Sequence, residues 1–378
     1  MNAGKCFVVV AAMLVTLGGA AAVAGGGQAN EEGSPRAAPT YRVDPFWPKP
    51  LPAGWITGEV AGTCIDSQDH VFTLNRGPQN NLTDKEKVTG VPSPAVIEFS
   101  PDGEVVNSWG APGSPQLAQM PTGLHGCFVD FQDNVWIAGN GDGFVQKYTH
   151  DGSTLLLQIG TKGVCDSPTT KCGTPDSNSS RTLLNEPANM AVDPANGEVY
   201  IADGYGNHRV VVFDKNGVYQ RQWGSAGTGP GQFSPGGGGH PHCVVLGNDN
   251  LVYACDRAND RIEVFDKKGN LKRIIPVVPG TGARPAGIGS AWDLKFSNDA
   301  TQTFMFEVDG GNEVLWTFNR AAGLILAGFG RPGHMAGDFT FLHSVAIDSK
   351  GNLFTGETIG GRRIQKFKRH GGEDGNDD

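Results

Sequence analysis

The chain has 378 residues, a formal net charge of −9 and a pI near 5.5. Nucleic-acid-binding domains usually carry a clustered basic face, so this acidic balance argues against DNA or RNA as a partner. The 56 Gly and 24 Pro residues are spread between short Val, Ile, Phe, Tyr and Trp runs, and no long helical periodicity is present. This composition favours an all-β fold of many short strands joined by turns.

The N-terminal segment has the layout of a secretory signal peptide. Lys5 precedes an apolar run that ends near Gly18, and small residues follow as far as Ala29. We therefore predict a signal peptide over residues 1–29 and a flexible linker over residues 30–40. No second apolar stretch of ~20 residues follows, so the expected mature protein is secreted or periplasmic and has no membrane partner.

A strand–turn–strand unit recurs six times along the chain. The six copies start near Cys64, Phe128, Ala191, Val245, Lys295 and Ala346. Five of them are followed by an apolar hairpin, with turns such as Asp102-Gly103, Asp151-Gly152 and Asn216-Gly217 that supply the positive φ angles of tight hairpins. Four strands per repeat and six repeats predict a six-bladed β-propeller over residues 41–370.

The sixth repeat has only one clear strand after its middle strand, from Arg362 to Lys368. A closed ring needs the missing outer strand from elsewhere, and the segment Tyr41-Arg42-Val43 can supply it. The basic residues of the last strand are interpreted as its solvated face. Residues 371–378 are expected to form a disordered tail.

Histidines recur at one phase of alternate repeats. Each repeat has an Asp position at the end of its inner strand, and the pattern concerns the residue five positions before it. In repeats two, four and six this residue is His125, His242 and His343, respectively. In repeats one, three and five it is Ala61, Ala188 and Trp292. Alternate blades of a six-bladed ring are related by roughly threefold rotation, and the inner strands start at the mouth of the central channel. We therefore predict that the three imidazoles converge on the axis and bind one metal ion.

Three histidines with one open position are a known catalytic arrangement for zinc. The alternative is that the three are unrelated polar groups at strand starts. The remaining histidines are either off this phase or in turns, strand edges and the tail, and we interpret them as surface residues: His70, His150, His208, His240, His334 and His370.

Two further polar residues follow middle strands, on the face where the channel opens. Arg76 comes after the middle strand of blade one, and Tyr205 lies in the loop after the middle strand of blade three. Arg can clamp a substrate carboxylate, and Tyr can act as a general base when a metal and an Arg lower its proton affinity. Solvation of Arg76 and packing of Tyr205 are the alternatives without a catalytic role.

Six cysteines remain after Cys6 of the predicted signal peptide is set aside, an even number that makes disulfides plausible in an exported chain. Cys165 and Cys172 share one loop, and Cys243 and Cys255 flank a predicted turn. Cys64 and Cys127 are either paired or free.

The motifs resemble the peptidylglycine alpha-amidating lyase family, an NHL-repeat propeller. Matching segments extend from about residue 55 to 368 and include Leu124-His125-Gly126, Asp203-Gly204-Tyr205-Gly206-Asn207, Pro241-His242, Asp256-Arg257 and Leu342-His343. The resemblance implies cleavage of an α-hydroxyglycine end to an amide and glyoxylate. It also implies zinc on His125, His242 and His343, Tyr205 as the base, and Arg76 as the carboxylate clamp. The implied partner is a peptide or small molecule with such an end.

The resemblance further implies a structural calcium site, with backbone carbonyls at Thr63 and Cys127 and a carboxylate directly after the third histidine. Here that last position is Ser344, and Phe341 stands where the family has Met. A hard cation is held by charged oxygen ligands, so we expect the loss of this carboxylate to weaken calcium binding.

Two other functions fit the same residues. A non-catalytic NHL propeller that binds a protein, glycan or surface polymer is the main alternative, because a fold does not fix a function. A different metal-dependent hydrolase or isomerase would keep the three histidines without the roles of Tyr205 and Arg76.

Overall fold

The computed structural model describes residues 37–370 except 53, 80, 174–176, 236–237 and 285–286. The predicted signal peptide, most of the predicted linker and the tail at 371–378 lie outside the described residues, so these boundaries stay predictions.

The regular secondary structure of the described residues is almost entirely β-strand. The first thirteen are β1 Thr40–Asp44, β2 Trp55–Ile56, β3 Val60–Ile65, β4 Val71–Asn75, β5 Val91–Pro92, β6 Val96–Phe99, β7 Val105–Trp109, β8 Leu124–Val129, β9 Val135–Gly139, β10 Phe144–Tyr148, β11 Leu155–Gly160, β12 Asn189–Val192 and β13 Val199–Asp203. The next thirteen are β14 Arg209–Phe213, β15 Tyr219–Trp223, β16 Val244–Leu246, β17 Leu251–Asp256, β18 Arg261–Asp266, β19 Leu271–Pro276, β20 Asp293–Phe296, β21 Phe304–Asp309, β22 Val314–Asn319, β23 Leu324–Phe329, β24 Leu342–Ile347, β25 Leu353–Glu357 and β26 Ile364–His370. Two short helices, α1 Asp84–Thr89 and α2 Pro115–Gln119, lie in the connections.

Six four-stranded antiparallel sheets form the blades of a propeller, as the repeats predict. Blade one is β3-β4-β6-β7, blades two to five are β8 to β11, β12 to β15, β16 to β19 and β20 to β23, and blade six is β24-β25-β26-β1. The hairpin glycines Gly103, Gly152 and Gly217 have φ angles of +93°, +71° and +80°, the conformation that a tight turn requires and that other residues adopt at a cost.

The ring is closed by the N-terminal strand. β1 pairs antiparallel with β26, so that Tyr41 lies opposite Arg369 and Val43 opposite Phe367. The Tyr41 ring also packs edge-on against Phe306 of blade five, with the ring centroids 5.7 Å apart. The predicted donor of the missing outer strand is confirmed, and the sheet edge of blade six is covered.

Hydrophobic side chains fill the space between neighbouring blades. Between blades one and two, Phe72 and Leu74 pack with Ile137 and Tyr148, all almost fully buried. Equivalent clusters lie between the other neighbouring pairs, including the pair of blades six and one. Because each fully buried large apolar side chain contributes about 1.5–3 kcal/mol, the ring is stabilised by packing between blades.

Three disulfides are present, and they settle the pairing that the sequence left open. They join Cys64 with Cys127, Cys165 with Cys172, and Cys243 with Cys255. The first connects β3 of blade one to β8 of blade two. Structural disulfides are typical of chains that fold in an oxidising compartment. No helix among the described residues is both long and apolar enough to cross a bilayer.

The basic residues of the last strand and its preceding turn are largely paired. Arg362 pairs with Glu86, Arg363 with Glu357 and Lys368 with Asp44. Lys366, expected on a solvated face, is instead buried and donates a hydrogen bond to the Pro101 carbonyl. This region is therefore not an open basic face of the kind that nucleic-acid binders use.

Candidate active site

The three histidines of the even blades meet at the propeller axis. His125, His242 and His343 are each at most 4% exposed, and their ring centroids are 4.5 to 4.9 Å apart. One ligand nitrogen from each lies within 4.8 Å of the other two. The repeat phase therefore brings together the three side chains that the sequence singled out.

The odd blades fix the orientation of these rings. The Nδ1 atoms lie 2.8, 2.7 and 2.6 Å from the backbone carbonyl oxygens of Ala188, Trp292 and Ala61, respectively. These are the residues at the histidine phase of blades three, five and one. A carbonyl only accepts a hydrogen bond, so each Nδ1 carries the proton and each Nε2 presents its lone pair.

Burial keeps the imidazoles neutral. It is the main cause that lowers the pKa of His125 and of His242 well below the ordinary value, and it lowers the pKa of His343 to about 3. The positive charges of Arg76 and Arg257 lower the pKa of His343 further. A neutral imidazole with its second nitrogen hydrogen-bonded is the form that binds a metal ion.

Tyr205 reaches the same point from blade three. Its hydroxyl lies 2.9 Å from Nε2 of His125 and 3.2 Å from Nε2 of His242. The side chain is partly exposed and stands in the loop between β13 and β14. The structure thus places the proposed general base beside two of the three lone pairs, on the side that solvent reaches.

Arg76 lies next to the histidines, and its guanidinium already has partners. Nη1 pairs with Glu59 at 2.6 Å, Nε donates to the Leu124 carbonyl at 2.8 Å, and Nη2 donates to Asn140 at 3.2 Å. Burial opposes the charge of Glu59, but hydrogen bonds and the Arg76 charge outweigh it, and they lower the pKa of this carboxyl. These contacts use three of the five N–H donors, so two remain for a substrate.

A second arginine at the site was not given a role by the sequence reasoning. Arg257 is 6% exposed, and its guanidinium lies 4.4 Å from the centre of the Trp292 ring and 5.9 Å from that of Tyr205. Its position directly after β17, the middle strand of blade four, in the matched Asp256-Arg257 segment, was the available signal. Arg257 therefore places a buried positive charge beside the ring of Tyr205.

Gly239 forms part of the wall of the site. Its φ is +85°, and a Cβ atom there would lie 2.7 Å from Cε2 of Tyr205 and 2.8 Å from Cδ2 of His242. Both distances are shorter than side chains tolerate. The backbone at this position therefore approaches Tyr205 and His242 as closely as only glycine allows.

The residues that the resemblance connects with calcium line a small cavity beside the histidines. Thr63, Cys127 and Ser344 are all on its wall, and the Thr63 hydroxyl donates to Ser344 at 3.0 Å. Asp293 of blade five lines the same cavity and is 3% exposed. Sequence reasoning considered only the position after the third histidine and missed this carboxylate from another blade.

The interpretation of the remaining histidines as surface residues is wrong for two of them. His208 and His240 are 7% and 0% exposed. His70 and His150 are half-buried, and both lie against carboxylates. Turn positions are often exposed, but the loops that carry these side chains fold back against neighbouring blades.

Comparisons with known proteins agree with the fold. The NHL repeat family model matches residues 184–213, which include β12, β13, the Tyr205 loop and β14. Three of the four strands of blade three therefore match the NHL repeat. NHL repeat-containing protein 3 from Mus musculus is 29% identical over 346 residues, which cover 87% of this chain and 84% of that protein.

A probable peptidyl-alpha-hydroxyglycine alpha-amidating lyase from Caenorhabditis elegans is 26% identical over 219 residues, 55% of each chain. A solved streptogramin B lyase has a TM-score of 0.52 and 12% identity, over 87% of this chain and 98% of that one. At this identity the solved structure supports the propeller fold alone. The chain therefore resembles the amidating lyases over about half its length and NHL repeat-containing protein 3 over most of it.

Proposed function

We propose that this chain is a zinc-dependent lyase that cleaves the N–C bond of an α-hydroxyglycine-type substrate to give an amide and glyoxylate. The observation that carries the proposal is the convergence of three neutral imidazoles and the Tyr205 hydroxyl at the axis, with two guanidinium groups beside them. The resemblance to amidating lyases supports the reaction type.

The donor set fits zinc. Three Nε2 atoms face one another because every Nδ1 is held by a backbone carbonyl, and three histidines with an open position are typical of catalytic zinc. His125, His242 and His343 would hold the ion, which when bound supplies Lewis acidity toward a hydroxyl oxygen. For calcium, Asp293 would supply the carboxylate that Ser344 lacks, together with the Thr63 and Cys127 carbonyls.

Tyr205 would take the proton of the substrate hydroxyl. Its hydroxyl lies beside Nε2 of His125 and of His242, and the buried Arg257 guanidinium lies over its ring. As the proton leaves, the electrons of the O–H bond form the second C–O bond of the glyoxylate aldehyde. The C–N bonding pair passes to the amide nitrogen, which takes up a proton, so the reaction consumes no water.

Arg76 would orient the substrate carboxylate. Glu59, Asn140 and the Leu124 carbonyl fix the guanidinium plane, which leaves donors on its two terminal nitrogens. A pre-oriented guanidinium that binds a carboxylate through both terminal nitrogens gives geometric selection as well as attraction. Substrates without a carboxylate at this end would therefore be poor.

We also propose export from the cytoplasm, to the periplasm or outside the cell. The three disulfides and the signal-peptide layout of the N-terminus support this location. The substrate would then be a peptide or small molecule in that compartment.

A non-catalytic propeller is the second candidate. NHL repeat-containing protein 3, which aligns over most of the chain, is named for its repeats alone. A binding propeller would hold no zinc at the axis and would release no product from an α-hydroxyglycine compound.

The test is glyoxylate release from α-hydroxyhippurate by purified mature protein, measured above the spontaneous rate. Release that a chelator abolishes and zinc restores is expected. The Tyr205→Phe variant then distinguishes this lyase from another metal-dependent enzyme on the same scaffold. Folded, zinc-loaded protein that releases no glyoxylate would contradict the proposal.

A further inference from the structure

A second group of metal-ligand side chains lies away from the axis, which we name the rim cluster: Asp66, His70, Glu98 and His150. Each offers one ligand atom, and the four atoms lie within 4.8 Å of one another. The Asp66 and Glu98 side chains are 1% and 5% exposed, whereas His70 and His150 are 25% and 35% exposed. Two buried carboxylates thus face two imidazoles that solvent reaches.

The rim cluster is at the other end of the inner strands from the axial histidines. Asp66 follows β3, and His70 precedes β4 in the same turn. Glu98 is on β6, and His150 comes from the hairpin turn between β10 and β11 of blade two. A six-residue strand spans roughly 20 Å, so the two histidine groups are separate sites.

The spacing of the ligand atoms suits a tetrahedral ion. The carboxylate oxygens lie 3.5 and 2.8 Å from Nδ1 of His70, and 2.8 and 4.0 Å from Nε2 of His150. Zinc–ligand bonds of ~2.0–2.1 Å in tetrahedral geometry place neighbouring ligand atoms about 3.3 Å apart. The four observed distances bracket that value, so small side-chain shifts would complete the coordination.

In blade two, the aspartate equivalent to Asp66 forms a simple ion pair with a lysine. Asp130 corresponds to Asp66, and in both blades one carboxylate oxygen accepts the backbone N–H groups that close the turn. The other oxygen of Asp130 pairs with Lys147 at 2.9 Å. In blade two, Lys147 lies opposite Trp136 of the middle strand. The equivalent position of blade one, opposite Phe72, is occupied by Glu98. Blade one therefore has an acid where blade two has the lysine that neutralises the aspartate.

Blade three confirms the pattern with a lysine from the next blade. Asp193 of blade three pairs with Lys267 at 2.6 Å. Lys267 lies in the hairpin turn of blade four, the same position that His150 occupies in the hairpin turn of blade two. Both positions that supply a lysine in other blades therefore differ in blade one. One carries a second carboxylate and the other an imidazole.

This exchange leaves two buried carboxylates without a permanent cation. Within the described residues, their only charged partners within 4.0 Å are the two histidines. Buried carboxylates need a compensating charge, and a divalent ion supplies two at once. We propose that the rim cluster binds one divalent transition-metal ion of the zinc class, through Asp66, His70, Glu98 and His150.

The ion would join two blades. Three ligands belong to blade one and the fourth to blade two, the pair that the Cys64–Cys127 disulfide also connects. A metal that binds only the assembled ring stabilises it by mass action. The proposal is independent of the lyase reaction, because none of these residues lies at the axis.

The test compares two charge-reversal variants of the purified mature protein. Glu98→Lys rebuilds the blade-two ion pair with Asp66 and removes a ligand, so the fold should persist. Glu104→Lys makes the same charge change at an exposed position of the same hairpin. Both proteins are stripped with a chelator, loaded with Zn²⁺ alone, dialysed, and analysed for zinc per chain and for Tm with and without zinc.

We expect Glu98→Lys to hold one zinc per chain fewer than Glu104→Lys, whether or not the axial site binds zinc. A second pair, His125→Ala alone and combined with Glu98→Lys, isolates the rim cluster. The first should keep one zinc and a zinc-dependent rise in Tm, and the second should lose both. Equal zinc content in the two charge-reversal variants would overturn the proposal and leave the cluster as histidines hydrogen-bonded to carboxylates.

Discussion

The axial histidines and the rim cluster use the same side chain in opposite ways. At the axis the three rings are fully buried, and each Nδ1 is held by a backbone carbonyl of the next blade. At the rim, His70 and His150 are partly exposed, and each faces carboxylates. The axial site is therefore built from backbone and neutral ligands, and the rim site from side-chain charge.

This difference determines what each site can do. Neutral axial ligands leave the full positive charge of a zinc ion to act on a substrate, as a Lewis acid requires. Two carboxylates at the rim would cancel the charge of the ion and fill its coordination, which is typical of a structural site. The two groups can be broken independently, because they occupy opposite ends of the inner strands.

The largest effect is expected from His125→Ala. Loss of an axial ligand should remove the axial zinc and bring glyoxylate release down to background, since the metal contributes about 4 kcal/mol to charge stabilisation, or roughly 10³-fold at 1.36 kcal/mol per tenfold. His150→Ala is the matched control and should keep kcat/KM. Loss of activity in both variants would contradict the separation of the two sites.

Tyr205→Phe should lower kcat by about 10²-fold, the lower end of the usual contribution of a general base. The variant keeps the ring that packs against His125 and loses only the hydroxyl. Its zinc content should therefore equal that of the unmodified protein. Full activity in the zinc-loaded variant would assign the proton transfer to another group.

Gly239→Ala should reduce kcat/KM by roughly 10–100-fold. The added methyl group must displace Tyr205 or His242, and a displacement of about 1 Å in an active site can lower the rate by about 100-fold. Gly280→Ala is the control. Gly280 has a similar φ of +90°, and a Cβ there would meet no atom within 4 Å. The two variants should share the cost of a left-handed backbone, so equal activity in both would show that the contact at Gly239 is unimportant.

The smallest effect on activity is expected from Glu98→Lys. This variant should turn over α-hydroxyhippurate at the unmodified rate, while zinc should raise its Tm less than it raises the Tm of the unmodified protein. A fall in kcat/KM that zinc-saturating conditions do not correct would mean that the rim and the axis are coupled through blades one and two.

The features that repeat along the chain were predictable from the sequence. The blade boundaries, the closing strand at Tyr41 and the convergence of His125, His242 and His343 all depend on one periodic pattern. The Ala61, Ala188 and Trp292 positions were identified too, although their role in accepting hydrogen bonds through backbone carbonyls required the structure.

Features that cross between blades without repeating were not predictable. Arg257 lies in an irregular turn, and its closeness to Tyr205 depends on how two loops meet. The rim cluster brings Asp66 and His150, 84 residues apart, to 2.8 Å. Asp293 reaches the axial cavity from blade five, away from the motif that drew attention to Ser344. In each case the contact follows from side-chain direction across a blade interface, which a periodic pattern does not encode.

The central claim is that the three axial imidazoles hold one metal ion, and anomalous diffraction tests it most directly. Crystals of the zinc-loaded protein, measured on both sides of the zinc absorption edge, should show a strong peak about 2.0–2.1 Å from Nε2 of His125, His242 and His343. No axial peak in a zinc-saturated crystal would contradict the account, and the binding-propeller alternative would then be preferred.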